Sequence, residues 1–169
     1  MSTPSAVDKH AEEWEAFVGK AILRFGDIEL ISVKCLSVLP EDQISESAFR
    51  LEFGRRTDLI IELLEARESL SDHLGILLKG LKRAKQLSQI RNLIAHNPVM
   101  LDIYTTEDES RIITRHTITS ARTGKKSIDL EELKEFASEV EHLASELWMV
   151  FLNVAGNSDH LWRNRSNGT

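Results

Sequence analysis

Apolar residues recur every three or four positions through most of this chain, which is the period of a helix with one buried face. From about Ser5 to Leu39 the stripe runs Trp14, Phe17, Val18, Ala21, Phe25, Ile28, Ile31, Cys35 and Leu39, and Pro40 stops it. A second sector, Ile22, Gly26, Leu30 and Val33, predicts cover on more than one side of this first helix. Glu41 to Ser47 is a polar connection. Apolar positions return at Phe49, Leu51 and Phe53 and lead into a second helix through Leu59, Ile60, Leu63 and Leu64. Ser69 to Asp72 offers capping residues for a third helix reaching His96, striped by Leu74, Leu77, Leu78, Leu81, Ala84, Leu87, Ile90 and Ile94. Pro98 ends it, because proline has no N–H for the helical ladder and restricts Asn97 before it.

Beyond Pro98 the composition turns β-branched. Val99 to Thr106 and Arg111 to Thr119, with a polar turn between them, predict a hairpin; Arg122 to Lys126 is a second turn into a short third strand. The final long helix opens on a capping box, with Asp129 at the N-cap, Glu132 three residues on, and Ile128 placed to staple against Leu133. It carries Phe136, Val140, Leu143, Leu147, Val150, Phe151 and Val154 and stops near Gly156. The expected fold is therefore mainly α, an up-and-down bundle of four to five helices with a small β-hairpin inserted before the last long helix. Residues 1–156 read as a single domain, with the insertion at about 99–128. Residues 157–169 read as a loose polar tail relieved only by Leu161 and Trp162.

A chain of 169 residues is long enough for a sizeable core without staples. The start, Met1-Ser-Thr-Pro-Ser, lacks the charged and apolar regions of a signal peptide, and no apolar run approaches the length needed to span a bilayer. One cysteine, Cys35, excludes an internal disulfide and sits on the apolar stripe as a small hydrophobe. A cytoplasmic protein is expected.

The formal net charge of −6 argues against a nucleic-acid partner until its distribution is considered. His73 to Leu101 contains no acid but has Lys79, Lys82, Arg83, Lys85 and Arg91, and Arg111 to Ile128 is likewise acid-free with five more cations. Such segregation lets an acidic protein present a phosphate-binding face. Equally, it can supply cations to acidic helices of the same fold.

Several chemistries lack their residues. The eight glycines form no phosphate loop, the six histidines show no metal-ligand spacing, and no serine lies in a nucleophile elbow. No metal or cofactor is expected. Three Arg/His pairs remain. Arg111 and His116 fall on opposite faces of a predicted strand, and Arg67 and His73 straddle a helix break among Glu65, Glu68 and Asp72, a setting suited to surface capping. Arg91 and His96 end the basic helix. Arg91 continues the line of Leu77, Leu81, Ala84 and Ser88, so it is expected to be half-buried and to need an anionic partner, either a phosphate or a core carboxylate such as Glu29. Asn92 and His96, four apart, share a face. Residues five apart on an ideal helix diverge by roughly 140°, so Arg91 and His96 meet one phosphate only if the helix loosens at His96 or a second copy completes the site.

Arg91-Asn92-x-x-x-His96 near the end of a long helix, within an all-helical core, resembles the HEPN superfamily, helical domains found in many bacterial and phage-defence ribonucleases. The resemblance covers about two-thirds of the chain and leaves the hairpin as an insertion. It implies a catalytic Arg91 and His96 with Asn92 as the polar residue between them, metal-independent RNA cleavage, and a homodimer with a composite site. Some toxin–antitoxin members carry a modifiable Tyr two residues after the His. Pro98 stands there in this chain, which argues against control by that route. The expected function is an endoribonuclease, in a toxin or phage-defence role, in which the RNA 2′-hydroxyl attacks the adjacent phosphorus. His96 would move a proton as general base or acid. Arg91 would clamp the phosphate, and Lys79, Lys82, Arg83 and Lys85 would guide RNA. RNA, a second copy and an antitoxin or other protein are the partners so implied. Two other readings stay open: a non-catalytic HEPN module that binds a protein or nucleotide, and a plain helical dimer assembled through its hairpin.

Overall fold

The computed structural model describes residues 6–40, 46–105, 112–120 and 126–156, so the expected turns at Thr106–Ser110 and Arg122–Lys126 and the expected tail fall wholly or largely outside it. In order, the described elements are α1 (Ala6–Val38), α2 (Glu46–Phe49), α3 (Phe53–Glu65), α4 (Asp72–His96), β1 (Val99–Thr105), β2 (Ile112–Thr119), β3 (Ser127–Ile128) and α5 (Leu130–Gly156). The protein is mainly α, with a small antiparallel sheet before its last long helix. None of the described helices is long and apolar enough to cross a membrane. One element departs from expectation: Glu46 and Ser47, read as part of a polar connection, begin the single helical turn of α2. It continues into turns closed by Arg50 N–H to the Ser47 carbonyl and Leu51 N–H to the Ala48 carbonyl.

The chain divides into two compact units. Residues 1–24 with 89–140 form one, and residues 25–88 with 141–169 form the other; α1, α4 and α5 contribute to both. In the first, Trp14, Ala21, Ile94, Ile118, Ile128, Leu133, Phe136 and Val140 are buried. Its sheet has strand order β1-β2-β3, with Val99 opposite Ile118, Asp102 opposite Arg115 and Ile118 opposite Ile128. The capping box forms as expected. Glu132 N–H donates to Asp129 Oδ1 at 3.0 Å and Asp129 N–H donates to Glu132 Oε2 at 2.8 Å, beside buried Ile128 and Leu133. Lys134 ties α5 to α1 through Glu13 at 2.7 Å and lies 5.6 Å from the centroid of the Phe17 ring.

In the second unit, Phe25, Ile28, Ile31, Leu36, Ile60, Leu64, Leu77, Leu81 and Leu147 are fully buried, each contributing roughly 1.5–3 kcal/mol by leaving water. Phe25 meets Phe53 edge-on at 5.2 Å, a favoured aromatic arrangement. Gly80 marks a close approach of α4 to α5: a Cβ there would stand 2.6 Å from Leu147 Cδ2. Cys35 is enclosed as expected, and burial pushes its thiol up to about 12, so it stays a neutral hydrophobe. The second sector of α1 is less covered than its pattern predicts, since Gly26 and Leu30 are exposed. Periodicity marks a face as apolar without supplying a neighbour to cover it.

Candidate functional site

Buried Ile94 fixes how the last turns of α4 sit in their unit, leaving Arg91 half-buried and Asn92 and His96 exposed. The helix closes on Asn97, whose Nδ2 donates to the Leu93 carbonyl at 2.8 Å, and Pro98 follows. Because α4 is helical through His96, the first of the two alternatives, a helix loosened there, is not seen. Arg91 instead reaches sideways, its Nη1 donating to Asn92 Oδ1 at 2.9 Å. On a helix Asn92 lies about 100° round from Arg91 and only about 40° from His96. The Arg91–Asn92 bond links the arginine to the residue that shares a face with His96, and completion of the site by a second copy stays open. Partial burial pulls the Arg91 pKa below its usual value by disfavouring the cation. Glu29, the other partner considered for Arg91, is half-buried on α1 in the other unit.

The remaining Arg/His pairs have other settings. Arg67 Nη2 donates to the Leu39 carbonyl at 2.6 Å, just past the end of α1, which is the capping role its acidic surroundings suggested. Arg111 lies outside the described residues, while half-buried His116 faces a cavity of about 740 Å³ lined also by Trp14, Val99, Arg115 and Leu130. A second hollow, of about 430 Å³, is lined by Met100, Asp102, Tyr104 and Thr117. Neither of these two is lined by Arg91, Asn92 or His96; Asn92 and His96 are exposed at the helix end.

Lys79, Lys82, Arg83 and Lys85 are all exposed on α4 within the second unit. Two of them face acids of α3: Lys82 Nζ meets Glu65 Oε1 at 2.5 Å, and Lys85 pairs with Asp58. Arg83 Nη1 donates to Gln86 Oε1 at 3.0 Å. Among the described residues no cluster of three His, Cys, Asp or Glu is grouped as a metal would need.

Arg56 escaped the sequence reading. It is buried in the second unit, where Nε donates to Ser32 Oγ at 2.8 Å and Nη1 to the Leu51 carbonyl at 2.7 Å, and burial lowers its pKa. It fastens α3 to α1 and to the segment after α2. Its spacing from Phe53 and Ile60, three before and four after, was the available signal.

Searches of family models, curated proteins and solved structures give no match to this chain.

Proposed function

We propose that this protein is a HEPN-type, metal-independent endoribonuclease acting as a toxin or phage-defence effector, with Arg91, Asn92 and His96 at its reacting centre. The observation that carries the reading is the Arg91–Asn92 hydrogen bond on a helix face shared with exposed His96. A half-buried cation with a free-standing imidazole nearby on the same helix suits a phosphodiester: the guanidinium neutralises the non-bridging oxygens and the imidazole moves a proton. The 2′-oxygen forms a bond to phosphorus as the bond from phosphorus to the 5′-oxygen breaks. The 2′-hydroxyl loses its proton, and the leaving oxygen gains one. His96 handles one of these transfers and water the other.

This reading requires the products to be a 2′,3′-cyclic phosphate and a 5′-hydroxyl. End-group analysis of cleaved RNA tests it. Substrates with 2′-deoxy nucleotides at the cut should resist, and cleavage of such substrates would refute 2′-hydroxyl attack.

A second reading has its own support. Because Lys82 and Lys85 face Glu65 and Asp58, the acid-free stretch partly serves the fold, which favours a non-catalytic HEPN module that binds a protein or nucleotide. Activity of purified protein on RNA separates the two.

A further inference from the structure

Half of the ten large apolar side chains exposed among the described residues lie in one seven-residue strand, β1: Val99, Met100, Leu101, Ile103 and Tyr104, at 40 to 64% exposure. β1 is also an edge, paired only with β2 in the described sheet. Register places Val99, Leu101 and Ile103 on the face of buried Ile118, yet all three stay exposed, and Met100 and Tyr104 are exposed on the opposite face. Both faces of the strand are therefore open around a hydrogen-bonding edge. Edge strands are normally guarded by lysines, prolines or bulges. β1 has none, and its one charge, Asp102, sits at the centre, accepting a hydrogen bond from Thr117 Oγ1 at 3.0 Å.

We propose that β1 is a self-association edge, pairing antiparallel with β1 of a second copy about a two-fold axis at Asp102. The occupant follows from the strand's own order. Reading outward from Asp102, both directions give two large apolar residues, so the strand complements itself: Leu101 falls opposite Ile103 and Met100 opposite Tyr104, the latter a thioether–aromatic contact. An isologous dimer needs this self-matching, whereas an unrelated strand would have to supply it anew. The pairing joins two three-stranded sheets into one of six strands. Its single unfavourable contact is Asp102 against Asp102, each flanked across β2 by Arg115. The two Val99 residues end up roughly 20 Å apart. This surface does not depend on the ribonuclease reading.

Sedimentation of the full chain tests it. A dimer is expected at micromolar concentration. Leu101→Lys and Ile103→Lys should each weaken it at least tenfold with unchanged circular dichroism, and Asp102→Asn should tighten it several-fold by removing the carboxylate pair. Under mild oxidation Asp102→Cys should cross-link two copies and Val99→Cys should not, with Cys35 buried and silent. A monomer at tens of micromolar overturns the proposal, whatever covers β1 instead. A dimer indifferent to the lysine substitutions, or one cross-linked through Val99→Cys and not Asp102→Cys, overturns it equally. If the lysine variants fail to fold, the two Asp102 variants still decide.

Discussion

Arg91 Nη1 donates to Asn92 Oδ1 at 2.9 Å, a bond between neighbours on α4, and Asn92 shares its helix face with His96. Adjacent helical residues point about 100° apart, so a bond between them needs at least one long side chain, which Arg91 supplies. On the proposed ribonuclease reading, Asn92 acts as a positioning residue for Arg91.

Asn92→Ala should therefore lower kcat roughly tenfold to a hundredfold with little change in KM or thermal stability, since the residue is exposed. Steady-state kinetics and a melting curve check this. A fall confined to KM would assign Asn92 to RNA binding instead. Mixing Arg91→Ala with His96→Ala separates two arrangements: recovered activity points to a site completed by a second copy, and its absence to a set held within one chain.

The lysines of α4 face two demands. Lys82–Glu65 and Lys85–Asp58 are pairs about half exposed, each worth under about 1 kcal/mol, so alanine at either lysine should barely shift stability. If RNA competes for the same ammonium groups, each substitution should weaken RNA affinity and reduce the salt dependence by about one counterion. Binding isotherms across a salt series give both quantities. Affinity unchanged by the double substitution would leave these lysines with their intramolecular acids alone.

Much of the fold was readable because its boundaries are written in local chemistry. Ser71 and Pro98 bracket α4, with Leu74 N–H reaching Ser71 Oγ at 3.4 Å, and Asp129 with Glu132 announces α5. The β-branched run after Pro98 marks the strands. What stayed hidden depends on distant neighbours. An acid-free stretch says nothing of Asp58 and Glu65 on another helix, and α2 is too short for any periodicity to register. Nothing in the Arg55-Arg56 pair distinguishes the buried member until the helix is rotated onto Phe53 and Ile60. At the site, sequence placed Arg91 half-buried and His96 on the face of Asn92. The Arg91–Asn92 hydrogen bond depends on rotamer choices that spacing alone cannot specify.

The α5 cap gives a pH prediction. The Glu132 N–H, together with Arg115 at 2.8 Å, holds the Asp129 carboxylate below its usual range. A depressed folded pKa means the stabilisation is complete above the unfolded value of roughly 3.9 and is lost as pH falls through the folded one. Asp129→Ala should cost about 1 kcal/mol near neutrality, and its difference from wild type should vanish in stronger acid. Denaturant unfolding at a series of pH values measures the difference. A cost independent of pH would remove the charged cap from the account.

Cleavage of single-stranded RNA by the purified chain, with His96 and Arg91 substituted in turn, bears most directly on the central claim. The wild type should cut with chelator present, His96→Ala and Arg91→Ala should each lose roughly a hundredfold or more, and Arg91→Lys should recover little because an ammonium lacks the planar fork. His73→Ala and His116→Ala should cut normally. A folded wild type that leaves RNA intact, or a His96→Ala variant that cuts as well as wild type, would contradict the assignment of this helix end as a ribonuclease centre.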